Sequence, residues 1–277
     1  MNSSSEPTII WVVGTAPDSG KTTFAAGLVR LLNKLGLPTV GFKPHGAFRL
    51  IEHVDHLLSL NSTPLGLLYG NDVVKLAAAS PLTPPHLSEV VGPSYRMSFN
   101  NALKQILLVR EGSTLLGDRE YYSAPGLSDL MLSNDFKEIG TRVGLPLANT
   151  ITRSDLRWPL MIGDGSKQSS AFNFLKSLGP KAIVCEGAGS FLPSWPGMPH
   201  VNHLLLIDDG KIYFFPHVNF LCLHKLGAQN LYHNGNLPNL VGKNCIESRI
   251  RLCKKVDVEQ STESVLRELL HKAGILK

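Results

Sequence analysis

Gly14-Thr15-Ala16-Pro17-Asp18-Ser19-Gly20-Lys21-Thr22-Thr23 is the stretch on which the reading of this chain turns. It follows the apolar run Ile9-Ile10-Trp11-Val12-Val13 and leads into residues 24–35, whose apolar spacing is helical. A strand, a glycine-bounded turn, Gly-Lys-Thr and a helix, in that order, are what a phosphate-cradling loop requires. Backbone N–H groups and the positive end of a helix face the anion there, and a lysine reaches its outer oxygens. A threonine hydroxyl directly after that lysine is placed to hold Mg²⁺. Asp18, Ser19, Gly20, Lys21, Thr22 and Thr23 are therefore expected to form a nucleotide site.

The loop has features of its own. Five residues separate Gly14 from Gly20, one more than in the common G-x-x-x-x-G-K-[ST] form. No lysine opens it, unlike the deviant loops of partitioning ATPases. Asn33-Lys34 is followed by Leu35-Gly36, without the aspartate that would read guanine. A GTPase is unsupported.

The 277 residues suffice for one large domain with a sizeable core, and the composition is globular. The net charge of +5 is spread along the chain without a basic stripe interleaved with aromatics. Nucleic acid is thus disfavoured as a partner, whereas a small anionic ligand suits the charge. Cys185, Cys222, Cys245 and Cys253 form no C-x-x-C pair, which fits reduced thiols rather than a zinc site or a disulfide framework. Met1-Asn2-Ser3-Ser4-Ser5-Glu6 lacks the pattern of an export signal, and no apolar run reaches membrane-spanning length. A cytoplasmic protein with no membrane partner is expected.

Short apolar strands alternate with helical segments, the pattern of a mainly parallel sheet with helices on both faces. Strands are expected over 8–13, 39–42, 182–185, 212–215 and 240–242, within a single α/β domain spanning 1–277. Residues 98–156 break the pattern, with a helical piece expected over 99–110, and read as an insertion or subdomain. The stretch 265–270 reads as an amphipathic helix packed on the core.

Three of the strands end at residues with chemistry. The loop follows the first, Lys43-Pro44 the second, and Glu186-Gly187-Ala188-Gly189 the strand over 182–185. Ligands of open α/β sheets collect at the carboxyl ends of the strands, so these ends should converge. Lys43 is otherwise an ordinary surface lysine. Asp72, in Gly70-Asn71-Asp72, is placed either to cap a helix or to join the site. Glu186 stands where a carboxylate would face Mg²⁺.

In order and spacing, these segments resemble the dethiobiotin synthetase family, one of the amidoligase-type P-loop enzymes of biotin and cobalamin pathways. The matching residues are Gly14 to Thr22, Lys43-Pro44, Asn71-Asp72, Pro81 to His86 and Glu186 to Gly189, with Ala228-Gln229 leading to Asn244. The resemblance spans about two-thirds of the chain and implies a P-loop NTPase fold, ATP and Mg²⁺ as cofactors, and a homodimer. It implies Lys21 and Lys43 as catalytic residues, with Thr22, Asp72 and Glu186 as Mg²⁺ ligands. It also implies Asn244 as the reader of adenine. The family reaction carboxylates an amine, phosphorylates the carbamate with ATP and closes a cyclic urea.

The acceptor half departs from that pattern. Ala16 and Pro17 stand where the family carries a hydroxyl or an acid, and Gly46-Ala47 where it carries a serine. The expected function is therefore an ATP-dependent ligase acting on a small-molecule amine or carboxylate, with Arg119, Tyr121 and Tyr122 as candidate acceptor contacts. The alternatives are a nucleotide-gated binding or regulatory module with a decayed acceptor site, and a P-loop kinase for another small molecule.

Overall fold

Alternating burial along Thr8–Gly14 (β1) would mark a half-exposed strand; instead all but its first residue are buried, as in the centre of a covered sheet. In the computed structural model, β1 lies between two parallel neighbours, Ala182–Glu186 (β8) and His203–Asp208 (β9). Thr39–Phe42 (β2) pairs parallel to the far side of β8. Lys211–Pro216 (β10) and Ile246–Arg249 (β11) extend the sheet antiparallel beyond β9, so its order is β11-β10-β9-β1-β8-β2. The chain is mixed α/β. The structure describes residues 6–14, 19–50, 55, 69–98, 106–127, 150–154, 156, 165–187, 195, 198–208, 211–216, 246–249, 263–264, 267–268 and 270–271.

A second, mixed sheet has the order Gly46–Arg49 (β3), Ser94–Ser98 (β4), Ile106–Glu111 (β5), Glu120–Ser123 (β6) and Ile151–Thr152 (β7). Two of its strands, β3 and most of β4, precede the stretch expected to be an insertion. The expected helix over 99–110 is incorrect where it can be judged: 106–111 is strand, and 99–105 lie outside the described residues. Ile106-Leu107-Leu108-Val109 is an apolar run whose periodicity suits either element, and antiparallel pairing with both β4 and β6 decides it. The strand expected over 212–215 is present, but it runs antiparallel. The one expected over 240–242 lies outside the described residues.

Helix Lys21–Lys34 (α1) buries Phe24, Leu28, Leu31 and Leu32 at helical spacing. It closes on Gly36 at φ 78°, with Gly36 N–H bonded to the Asn33 carbonyl and Leu37 N–H to that of Leu32. This double bond satisfies carbonyls that a helix end would otherwise orphan. Asn33 then fastens the helix to β2, donating to the Thr39 carbonyl at 2.8 Å and accepting from Thr39 N–H at 3.0 Å. Asn33 is thus a structural clamp.

Helices Asn71–Ala78 (α2), Ser88–Val91 (α3) and Ser166–Ser177 (α4) complete the described architecture. α4 ties the two sheets together. Its Phe172 meets Phe42 of β2 and Trp195, with ring centroids 5.6 and 5.9 Å away, and its Gln168 reaches Glu111 of β5. The contact with Phe42 is edge-on, and such a pair adds about 1 kcal/mol to area burial. One apolar core runs from β1 and α1 through to Tyr95, Met97 and Leu108 of the second sheet. At 270 the C-terminal stretch is helical and Leu270 is buried in that core, as expected for a packed amphipathic helix.

Candidate active site

Parallel order places the carboxyl ends of β1, β8 and β2 side by side, and the chemistry-bearing residues gather there. β1 ends at Gly14, where a Cβ would come within 2.3 Å of Ser19 Oγ and 2.9 Å of the Lys21 stem. Glycine therefore lets the lysine fold back over the strand end. Gly20 takes the left-handed conformation, φ 87°, as the residue that starts α1. Among the described residues no side chain caps that helix, and no acid stands in its first turn to offset its positive end. Lys21 is buried, and its Nζ donates to Ser19 Oγ at 3.1 Å. Asp18 and residues 15–17 lie outside the described residues, as do Ala188, Gly189 and Asn244.

Thr22 and Lys43 both reach Glu186. The Thr22 hydroxyl donates to Glu186 Oε1 at 2.7 Å, and Lys43 Nζ donates to the same oxygen at 2.7 Å. Lys43 Nζ also pairs with Asp72 Oδ2 at 2.8 Å. Asp72 Oδ1 accepts from the backbone N–H of Val73 at 2.9 Å and from the hydroxyl of Tyr95. Gly70 stands at the N-cap of α2, so Asp72 is not the cap; it sits in the first turn and turns its carboxylate to Lys43. Lys43 is fixed at its backbone as well, its N–H bonding the Val91 carbonyl at 2.7 Å. Far from being a solvated surface lysine, Lys43 is 4 % exposed.

The electrostatics follow from burial against pairing. Burial disfavours the Lys43 ammonium, but the Asp72 and Glu186 carboxylates outweigh it and hold its pKa above the ordinary lysine value. Burial likewise opposes ionised Asp72, and the Lys43 charge overcomes it, leaving Asp72 below the usual carboxylate range. Glu186 is more deeply buried, and its side chain must share the lysine. Burial pushes its carboxyl up, Lys43 pulls it back, and the neighbouring Asp72 charge adds to the push.

One oxygen in this cluster is left over. Glu186 Oε2 is buried and meets no hydrogen-bond partner among the described residues. A carboxylate oxygen in that state is costly unless something binds it. With the Thr22 hydroxyl beside it, it offers the hard oxygen donors that suit Mg²⁺. No group of three or more His, Cys, Asp or Glu side chains fit to hold a metal alone occurs among the described residues. That is compatible with a cation held largely by a ligand's phosphates and water.

The candidate acceptor residues do not join this cluster. They lie on or beside β6, which β5 separates from the strand that carries Tyr95. Arg119 pairs with Glu89 at 3.1 Å and lies over the Tyr121 ring, and Tyr122 donates to Glu120 at 2.5 Å. The Arg119 guanidinium and the Tyr122 hydroxyl are thus engaged with Glu89 and Glu120. His86, from the Pro81 to His86 segment, is exposed in a short 3₁₀ turn. Nothing in the local sequence signals that a strand passes through Tyr95.

Neither a scan against protein-family models nor a search of curated proteins returns a significant match. No described helix is long and apolar enough to cross a membrane.

Proposed function

We propose that this chain is a Mg·ATP-dependent ligase of the dethiobiotin synthetase type, which phosphorylates a carbamate or carboxylate for C–N bond formation. One observation carries the reading: Thr22, Lys43, Asp72 and Glu186 meet in one hydrogen-bonded cluster at the carboxyl ends of adjacent strands, directly after the Gly20-Lys21 turn. Positioning and charge neutralisation dominate phosphoryl transfer, and this residue set supplies both.

Lys21 and the amides at the start of α1 hold the ATP phosphates. Thr22 and Glu186, with Asp72 beyond Lys43, would hold Mg²⁺, which when bound neutralises phosphate charge. Lys43 presents its ammonium to the acceptor's carboxylate oxygen. That oxygen attacks the terminal phosphorus, the bond to ADP breaks, and an acyl phosphate results. An amine then displaces phosphate, forming the C–N bond and releasing a proton. Asn244 is proposed to read adenine on the strength of the family resemblance alone.

The test is ADP release by the purified protein from Mg·ATP and bicarbonate, with diaminopelargonic acid and a panel of other small amines and carboxylates, products being identified by mass spectrometry. Acceptor-dependent ADP release with a matching product supports the ligase. Tight ATP binding without ADP release under any acceptor assigns the chain to the nucleotide-gated modules. Phosphate transferred stably to a hydroxyl acceptor makes it a kinase.

A further inference from the structure

Asp72 is held from two directions, and only one of them belongs to the cluster that the sequence points to. The other is Tyr95. It is the second residue of β4, opposite Gly46 of β3 and Arg110 of β5, and is fully buried. Its hydroxyl accepts a backbone hydrogen bond from Gly70 and donates to Asp72 Oδ1. A continuous chain of hydrogen bonds results: Gly70 N–H, the Tyr95 hydroxyl, the Asp72 carboxylate, the Lys43 ammonium, Glu186 Oε1 and the Thr22 hydroxyl.

The space for the phenol is made by two glycines. A Cβ on Gly46 would lie 2.0 Å from Tyr95 Cε2, and one on Gly70 would lie 2.5 Å from the Tyr95 hydroxyl oxygen. Gly70 has φ −87°, an ordinary value, so room for the ring and hydroxyl, not backbone conformation, accounts for glycine there.

We infer that Tyr95 is a positioning residue for the Lys43 centre: its hydroxyl pins the Asp72 carboxylate, and Asp72 in turn holds the lysine ammonium against Glu186. Without the hydroxyl, Asp72 Oδ1 keeps only the N–H of its own neighbour, Val73, and the carboxylate is free to turn about its stem. Lys43 then loses a fixed partner on one side. A hydroxyl is the necessary group, because the apolar part of the ring packs equally well as phenylalanine.

Two readouts test this, and only the second rests on the proposed ligase function. The first is acylation of Lys43 by a succinimidyl ester, followed peptide by peptide by mass spectrometry, with exposed Lys34 as the internal control. In folded Tyr95→Phe, Lys43 should be acylated several-fold faster than in the wild type while Lys34 is unchanged. Asp72→Asn sets the scale, since it removes the carboxylate charge directly. Gly46→Ala, which displaces the ring but keeps the hydroxyl, should produce the same selective rise. The second readout is the steady-state split: loss of a hydrogen bond to a charged group should lower kcat about 10-fold, leaving KM for ATP unchanged. Lys43 acylation that is unchanged in Tyr95→Phe but raised in Asp72→Asn overturns the inference, and so does an unchanged kcat. A fall in melting temperature alone, with Lys43 as protected as before, reduces Tyr95 to a core residue and also overturns it. If the wild type releases no ADP with any acceptor, the ligase reading fails, and the acylation rates still decide the role of Tyr95.

Discussion

The hydroxyl of Thr22 donates to Glu186 Oε1 at 2.7 Å, so the first turn of α1 is bonded to the end of the strand beside β1. Val12 and Glu186 are register partners in the sheet. The link therefore joins helix α1 to strand β8 through two residues that are 164 positions apart in sequence but adjacent in space. Glu186→Gln removes the charge and keeps the shape. It should raise the Mg²⁺ concentration for half-maximal nucleotide turnover by about 10-fold or more, since a hard divalent ion depends on carboxylate charge. A Mg²⁺ titration of ADP release checks it, with circular dichroism to confirm the fold. An unshifted midpoint removes Glu186 from the metal site.

Lys21→Ala should lower ATP turnover by about 100-fold or more, the effect of losing a preorganised charge of about 3 kcal/mol at a developing anion. Circular dichroism and the melting temperature of the variant confirm that the loss is not one of folding. Turnover equal to that of the wild type would rule out the phosphate-loop assignment.

Gly46→Ala should cost about 1–3 kcal/mol of stability, the usual penalty for a forced contact in a packed core. The displaced group is the Tyr95 ring, whose Cε2 stands 2.0 Å from the would-be Cβ. Urea unfolding measures it. A double variant with Tyr95→Ala, which vacates the ring's space, should show less than the sum of the two single losses. Additive losses would show that the ring and the new methyl do not meet.

Glu111 makes stability depend on pH. Burial pushes its carboxyl up to about 7, against the opposing pull of Arg96, Ser94, Arg110 and Gln168. Arg96 stands off at 3.9 Å, while Ser94 and Gln168 bond the carboxylate at 2.7 and 3.0 Å. A carboxyl with a raised folded-state pKa binds its proton more tightly when folded. Its contribution is complete below the unfolded value and disappears as pH rises through about 7. At about 1.4 kcal/mol per pKa unit, up to about 3 kcal/mol would be lost. Unfolding free energies from urea titrations between pH 4 and 8 should fall more steeply for the wild type than for Glu111→Gln. Parallel curves would show that Glu111 does not titrate differently in the two states.

Much of the main sheet was legible because buried parallel strands leave a simple trace. β1, β2 and β8 are short apolar runs, each ending at a residue with a reason to be there: the Gly14 turn, Lys43 and Glu186. Their convergence followed from parallel order. β9 is not legible, because Leu204-Leu205-Leu206-Ile207 has no alternation and no motif at its end, and periodicity cannot assign such a run. The direction of β10 was equally hidden, being set by its antiparallel pairing with β9. The second sheet escaped for a further reason. β4 carries Tyr95 and Arg96 in a segment with one alternating apolar face only, yet it is buried throughout, since its polar side chains find partners inside. No local pattern announces partners that come from β5 and α2.

That burial has a bearing on how the protein can be cut down or recombined. Neighbouring residues of one strand serve two separate polar networks, Tyr95 reaching Asp72 while Ser94 and Arg96 face Glu111. A main sheet trimmed of the second would lose the hydroxyl that holds Asp72, and a transplanted second sheet would carry Tyr95 and Gly46 to a host without Gly70, whose lack of a side chain makes room for the phenol. The two sheets are not interchangeable modules: substitutions in one are constrained by the other, and variation along 94–98 should be accepted only where both networks are rebuilt together.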